Sequence, residues 1–158
     1  DIRIRFVGGG DDRQLNKFKM QLQKANSGEK FADVLDFLPQ DEILGEIMNC
    51  DIFVFASTCE NLPITLLEAM SAGCRIVCSD AGPMRETLGD GGIFFKVGDP
   101  DSLEDALLRM IDNNEMSSRL RSAARERAGS HTWRKCADST FRVLGAVVRD
   151  VRNNGQKI

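Results

Sequence analysis

Short apolar runs alternate along the chain with longer stretches whose apolar residues return every three or four positions. Ile2-Arg3-Ile4-Arg5-Phe6-Val7 alternates and ends apolar, which predicts a strand over 2–7. Gly8-Gly9-Gly10 turns the chain into a helix over 13–24, with Leu15, Phe18 and Leu22 on one face. The glycines lack the full G-x-G-x-x-G spacing and read as a tight strand-to-helix turn. After a loop at 26–30, a second strand is predicted over 34–38 and is stopped by Pro39. A helix over 41–49 follows, with Ile43, Leu44, Ile47 and Met48 as its stripe. Ile52-Phe53-Val54-Phe55-Ala56 is a third strand, and the helix after it is ended by Gly73.

The same alternation continues to the C-terminus. Residues 75–78 and 93–95 are strands, with a short helix over 84–88 between them. The helix that begins at Asp99-Pro100-Asp101 places Leu103, Ala106, Leu107, Met110 and Ile111 at i, i+3, i+4, i+7 and i+8. A further helix over 116–128 carries arginines on its exposed side. Trp133 then opens a last amphipathic helix, with Ala137, Phe141, Leu144, Val148 and Val151 in its stripe. Strands that alternate with helices imply α/β architecture: a Rossmann-like, doubly wound parallel sheet with helices on both faces. One domain over 1–152 accounts for the pattern, and the polar tail at 153–158 is expected to fray. Because the chain opens directly on a strand without methionine, it is expected to be a piece of something longer.

The segment from Ser57 to Gly73 holds the candidate chemistry. Pro63 suits a first helical position, where its missing N–H costs nothing. The helix thus begins at the carboxyl end of a strand, where free backbone N–H groups and a positive dipole end favour phosphate. Glu60 precedes it and Glu68 lies within it, with seven residues between them. Helical side chains lean towards the N-terminus, so Glu68 is expected to point back to the same mouth. There a carboxylate can accept two hydrogen bonds from a ribose diol. Spacing alone leans towards a plainer reading, in which Glu60 is a solvated turn residue and Glu68 a helix-surface glutamate.

Composition narrows the partners more than it identifies them. The net charge of −3, without a basic stripe or aromatic-basic interleaving, argues against nucleic acid. The five cysteines, at 50, 59, 74, 78 and 136, match no zinc spacing and read as buried free thiols in a reducing compartment. Asp11-Asp12 and Asp99-Pro100-Asp101 read as turn and helix-start acids, and no metal is expected. His131, the only histidine, precedes a helix start and reads as structural.

The Glu60-to-Glu68 segment resembles the E-x7-E signature of the family 4, or group 1, retaining glycosyltransferases. Further pieces occur in the family's order: Phe6-Val7-Gly8-Gly9-Gly10, Cys50-Asp51-Ile52-Phe53-Val54, Ile76-Val77-Cys78-Ser79-Asp80-Ala81-Gly82-Pro83, Gly91-Gly92-Ile93-Phe94-Phe95 and Val97-Gly98-Asp99-Pro100. The resemblance implies the C-terminal, donor-binding half of a GT-B fold. It also implies transfer of a sugar from a nucleoside-diphosphate sugar to a hydroxyl acceptor, in polysaccharide or glycoconjugate biosynthesis, without metal or other cofactor. By the same resemblance, Glu60 is the catalytic-site glutamate that contacts donor-sugar hydroxyls, and Glu68 holds the ribose. Asn61, Leu62, Pro63, Ile64 and Thr65 would face the sugar and diphosphate through backbone groups, and Leu38, Pro39 and Gln40 would meet the nucleobase edge.

Two departures stand out. Asn61-Leu62-Pro63 replaces the family's aromatic-glycine pair, and proline has no N–H, so phosphate contacts shift to Ile64 or Thr65. The family's arginine and lysine pair has no match here, and Arg13 and Arg85 read as surface arginines. The fragment alone is therefore expected to be inactive, with the acceptor held mainly by a missing N-terminal domain. The last helix is a candidate for self-association or for meeting that domain. The location implied is cytoplasmic, with peripheral attachment to the inner membrane surface left open. A non-catalytic GT-B-like binding module and another GT-B enzyme, such as a nucleotide-sugar epimerase, stay open as alternatives.

Overall fold

The structure is a computed structural model that describes residues 2–28 and 30–155, with side chains described up to Arg152 in the last helix. The chain divides into two compact units, Asp1–Glu46 and Ile47–Ile158. The strands pair in two sets, Ile4–Val7 with Ala32–Leu35 in the first unit and Phe53–Phe55, Ile76–Ser79 and Ile93–Phe95 in the second, and every pairing is parallel. The α/β alternation thus holds, with the ladder in two sets where one sheet was expected.

In the first unit, β1 (Ile4–Val7) pairs with β2 (Ala32–Leu35), and α1 (Asp12–Ala25) connects them. Asp11 caps α1 by accepting from the Arg13 and Gln14 N–H groups at 3.0 and 3.2 Å. Phe18 of α1 meets Phe6 of β1 edge to face at 4.9 Å between ring centroids. The second strand ends earlier than 34–38 because its partner does: Gly8 leaves the ladder with φ 136°, after its N–H reaches the Leu35 carbonyl. Phe37 is consequently 83% exposed.

The residues of α2 (Gln40–Asn49) fall on both sides of the division between the units. Ile47 is buried, whereas Met48, assigned to the same stripe, is exposed. In the second unit β4 (Ile76–Ser79) lies between β3 (Phe53–Phe55) and β5 (Ile93–Phe95), with Phe55 opposite Cys78 and Ser79 opposite Phe95. All four β4 residues are buried, as befits a central parallel strand. Val77, Ile93 and Phe95 pack with Ala106 and Met110 of α5 (Pro100–Asp112), joined by Ile52, Leu103, Leu107, Met116 and Leu120. Ile111 falls off this stripe and is exposed.

Close approach, rather than turn geometry alone, requires the glycines before β5. A Cβ on Gly92 would lie 2.5 Å from the Ile76 carbonyl oxygen, and one on Gly91 would lie 2.7 Å from Cα of Ala124. Ala124 belongs to α6 (Asn114–Ala128), whose arginines are more than a solvated face. Arg121 Nε donates to the Gly73 carbonyl at 2.6 Å, beyond α3 (Ile64–Ala72). Arg127 Nε donates to the Thr87 carbonyl at 2.7 Å, and its guanidinium also meets the Glu86 carbonyl, in α4 (Gly82–Leu88). Each arginine thereby satisfies carbonyls that a helix C-terminus leaves without partners.

The last helix, α7 (Trp133–Gly155), continues through Asn153 and Asn154, where fraying was expected; residues 156–158 of that tail lie outside the described residues. Phe141, Leu144, Val148 and Val151 are all more than half exposed, as is Trp133.

Candidate functional site at the carboxyl edge of the three-stranded sheet

Parallel register carries the segments after β3, β4 and β5 to one edge. Their hydrogen bonds tie that edge together. The buried Ser79 hydroxyl, at the end of β4, donates to the Ser57 carbonyl just past β3. The Asp80 N–H donates to the Phe95 carbonyl at 2.9 Å, and Asp80 Oδ1 accepts from the Val97 N–H at 3.3 Å. Asp99 then caps α5 by accepting from the Ser102 N–H at 3.0 Å, while Ser102 Oγ accepts from the Lys96 N–H at 3.0 Å.

Glu60 is held on this frame. Ser57 Oγ donates to Glu60 Oε1 at 2.7 Å, which leaves Oε2 and the outer lone pairs to meet another donor. The carboxylate is half-buried, beside the exposed Asn61 and Leu62. Pro63 is buried and is the N-cap of α3, one position earlier than the first helical place expected for it. Its φ of −78° and ψ of 83° lie outside the helix, and the helical hydrogen bonds start from its carbonyl, which accepts from the Leu67 N–H at 3.1 Å.

The start of α3 also revises the expected donors. The Ile64 N–H turns back to the Leu62 carbonyl at 2.9 Å, so it is already engaged. No side chain caps this terminus, and α-helical geometry directs the N–H groups of Thr65 and Leu66 outward from the first turn. Leu66, Ala69 and Met70 are fully buried and fix the helix on its sheet; Leu67 is half-buried. Ile64, Thr65, Ser71 and Ala72 are exposed, and Glu68, on the same side of the helix, is half-buried. Gly73 ends α3 at φ 75°, the left-handed conformation that glycine adopts at least cost.

Arg85 lies by the same edge. Its guanidinium carbon sits 4.6 Å above the Phe94 ring, and one nitrogen is 3.8 Å from Asp80 Oδ2. Arg85 is exposed, as a surface arginine should be, and the order of β4, Asp80 and α4 is what brings it here. Arg13 lies in the first unit, at the start of α1. Leu38, Pro39 and Gln40 also belong to the first unit, Leu38 half-buried and the other two exposed. His131 is exposed, with Nδ1 3.1 Å from the Arg127 carbonyl oxygen and 3.2 Å from Ser130 Oγ. Among the described residues no three His, Cys, Asp or Glu side chains converge to hold a metal ion, and no helix is long and apolar enough to cross a membrane.

The chain matches the family of glycosyl transferases group 1 over residues 1–127. It belongs to that family. Over 153 residues it is 29% identical to the phosphatidyl-myo-inositol mannosyltransferase of Mycobacterium leprae, covering 93% of this chain and 38% of that relative. The sucrose-phosphate synthase of Thermosynechococcus elongatus superposes with a TM-score of 0.79 at 18% identity, covering 92% of this chain and 38% of the other. Anabaena HepE, in its complex with UDP-glucose, superposes with a TM-score of 0.71 at 22% identity, covering 81% and 36%. These likenesses show that the chain has the α/β fold of one part of a GT-B protein. It spans well under half the length of those relatives.

Proposed function

We propose that this chain is the donor-binding part of a retaining glycosyltransferase that moves a sugar from a nucleoside diphosphate to a hydroxyl acceptor. The observation that carries the reading is the pairing of a hydroxyl-held carboxylate, Glu60, with an uncapped helix start at one sheet edge. In this reading the N–H groups of Thr65 and Leu66, with the positive end of α3, take the diphosphate. Glu60 accepts from donor-sugar hydroxyls, and Glu68 accepts from the ribose diol. Asn61 and Leu62 line the sugar side, Pro63 shapes the turn, and Ile64 holds that turn through its bond to Leu62. Leu38, Pro39 and Gln40 meet the nucleobase edge through backbone groups. The likeness to a fold that binds UDP-glucose supports a nucleotide-sugar as ligand.

The rest of the activity belongs to a longer, two-domain protein in which residues 1–152 form the donor domain. The acceptor sits mainly on the other domain, and the basic pair that offsets charge on the departing diphosphate belongs to an earlier strand and loop outside this chain. Hydroxyl acceptors of polysaccharide or glycoconjugate synthesis fit, with the protein working in the cytoplasm. No metal is required, since the helix N–H groups and the basic pair outside this chain neutralise the diphosphate. The exposed stripe of α7 gives the isolated chain a surface for self-association.

The test is transfer by the longer protein with a nucleoside-diphosphate sugar and a hydroxyl acceptor in chelator-treated buffer. Proton NMR should show the donor's anomeric configuration in the first-formed product. An inverted product contradicts the retaining mechanism. Absence of transfer despite donor binding would favour a binding module that has lost turnover.

A further inference from the structure

A second reactive cluster lies at the opposite, amino edge of the three-stranded sheet. Cys50 precedes β3 and Cys74 precedes β4, and these strands are paired in parallel with Phe53 opposite Ile76. Both cysteines therefore enter the sheet side by side. Both thiols donate to one acceptor, the Ile47 carbonyl, at 3.2 Å from Cys50 Sγ and 3.1 Å from Cys74 Sγ. Cys50 is half-buried and Cys74 buried, so the pair is reached from the Cys50 side. Nothing in the proposed transfer reaction uses either sulfur.

We propose that Cys50 and Cys74 form a dithiol site that a hydroperoxide closes to a disulfide, joining the turn before β3 to the residue that follows the C-cap of α3. Two thiols that share one carbonyl acceptor stand close together where two neighbouring strands begin, which is where such a bond can form.

Electrostatics divides the roles between the two sulfurs. Contact with the Cys50 thiol lowers the Cys74 thiol against the opposing effect of burial, and the Arg121 guanidinium adds to the lowering. The same contact and burial raise Cys50, with a smaller push from Asp51. Cys74 is thus the more readily ionised sulfur of the pair and Cys50 the less. In the first step Cys74 Sγ attacks one peroxide oxygen, the O–O bond breaks, and the departing hydroxide is protonated to water. Cys74 is left as the sulfenic acid. Cys50 then loses its proton and attacks Cys74 Sγ, the S–O bond breaks, and the hydroxide leaves as a second water. Two thiols are oxidised and one hydrogen peroxide is reduced to two waters.

The remaining cysteines supply the controls. Cys59 and Cys136 are exposed, where buried thiols were expected, because they lie in a turn and on the open face of α7, while Cys78 is fully buried in β4. The experiment treats the Cys59→Ser/Cys136→Ser chain with hydrogen peroxide, unfolds it, alkylates it and reads its mass. The expected product is two hydrogens lighter, is alkylated only at Cys78 and recovers fully with dithiothreitol. With Cys50→Ser added, which keeps a hydroxyl for the Ile47 carbonyl, Cys74 should stop at a sulfenic acid that dimedone traps. Unchanged circular dichroism shows that each variant is folded. If Cys50 and Cys74 both stay alkylatable in folded, peroxide-treated protein, or if the bond forms between chains or to Cys78, the proposal is overturned. Donor binding does not enter this readout, so the two proposals fail independently.

Discussion

Glu60 and Cys78 show how one frame sets two residues to opposite uses. Glu60 is ordered by a hydroxyl and keeps an open side, so its removal should be felt by whatever it faces. Glu60→Ala should weaken nucleotide-sugar binding by about 1.5–3 kcal/mol, the cost of losing hydrogen bonds to a charged acceptor. It should leave binding of the bare nucleoside diphosphate nearly unchanged. Competitive titration of the two ligands measures the difference, and equal losses for both would remove Glu60 from the sugar side. Ser57→Ala should reproduce part of the effect by freeing the carboxylate. Cys78 is closed off instead, and burial pushes its thiol from 9.0 up to about 12. Between those values the unfolded chain has lost a proton that the folded chain keeps, so stability falls as pH rises from about 9 to about 12. The slope approaches about 1.4 kcal/mol per pH unit for this one group. Urea midpoints of wild type and Cys78→Ala between pH 8.5 and 11 should show a shallower decline in the variant.

The elements themselves were largely legible from hydrophobic period, because each strand of the second unit is a short apolar run bounded by turn residues. Residues 93–95 match the observed strand, and the cap at Gly73 falls where a left-handed glycine was needed. Boundaries failed where a distant partner decides them. Nothing local to Asp36-Phe37-Leu38 says that β1 has already turned away at Gly8. The site was legible in part. The two glutamates and the proline are local signals, but Ser57 gripping Glu60 and Arg85 over Phe94 depend on contacts made by folding. The roles of Arg121 and Arg127 were equally hidden, since exposed arginines on a helix look alike until the carbonyls they meet are placed. Arg127→Met should lower stability by about 1–2 kcal/mol through the lost bonds to the end of α4. Gly92→Ala should cost more, about 2–3 kcal/mol, because the added methyl meets the Ile76 carbonyl rather than a yielding side chain. Urea denaturation ranks the two, and a neutral Gly92→Ala would mean that β5 can move away from β4.

For the whole molecule, α7 and the proposed donor edge make separate demands. A helix with Trp133, Phe141, Leu144, Val148 and Val151 all exposed carries apolar area that water disfavours. The isolated chain should associate with rising concentration, and Phe141→Glu/Leu144→Glu should return it to monomer in sedimentation velocity. A wild-type chain monomeric across the accessible range would count against this. The same chain should bind donor nucleotide yet transfer no sugar, since the acceptor and the basic pair are proposed to lie elsewhere. The central claim is that the start of α3 and its two glutamates form the nucleotide site. Calorimetric titration of wild type, Glu68→Ala and Glu68→Gln with uridine, guanosine and adenosine diphosphates tests it most directly. One nucleotide should bind wild type, and Glu68→Ala should weaken it by about 1.5–3 kcal/mol, or one to two decades. Glu68→Gln should lose less, because its amide still offers one acceptor to the ribose. A nucleotide that binds wild type and Glu68→Ala equally well would contradict the ribose assignment and the site built on it.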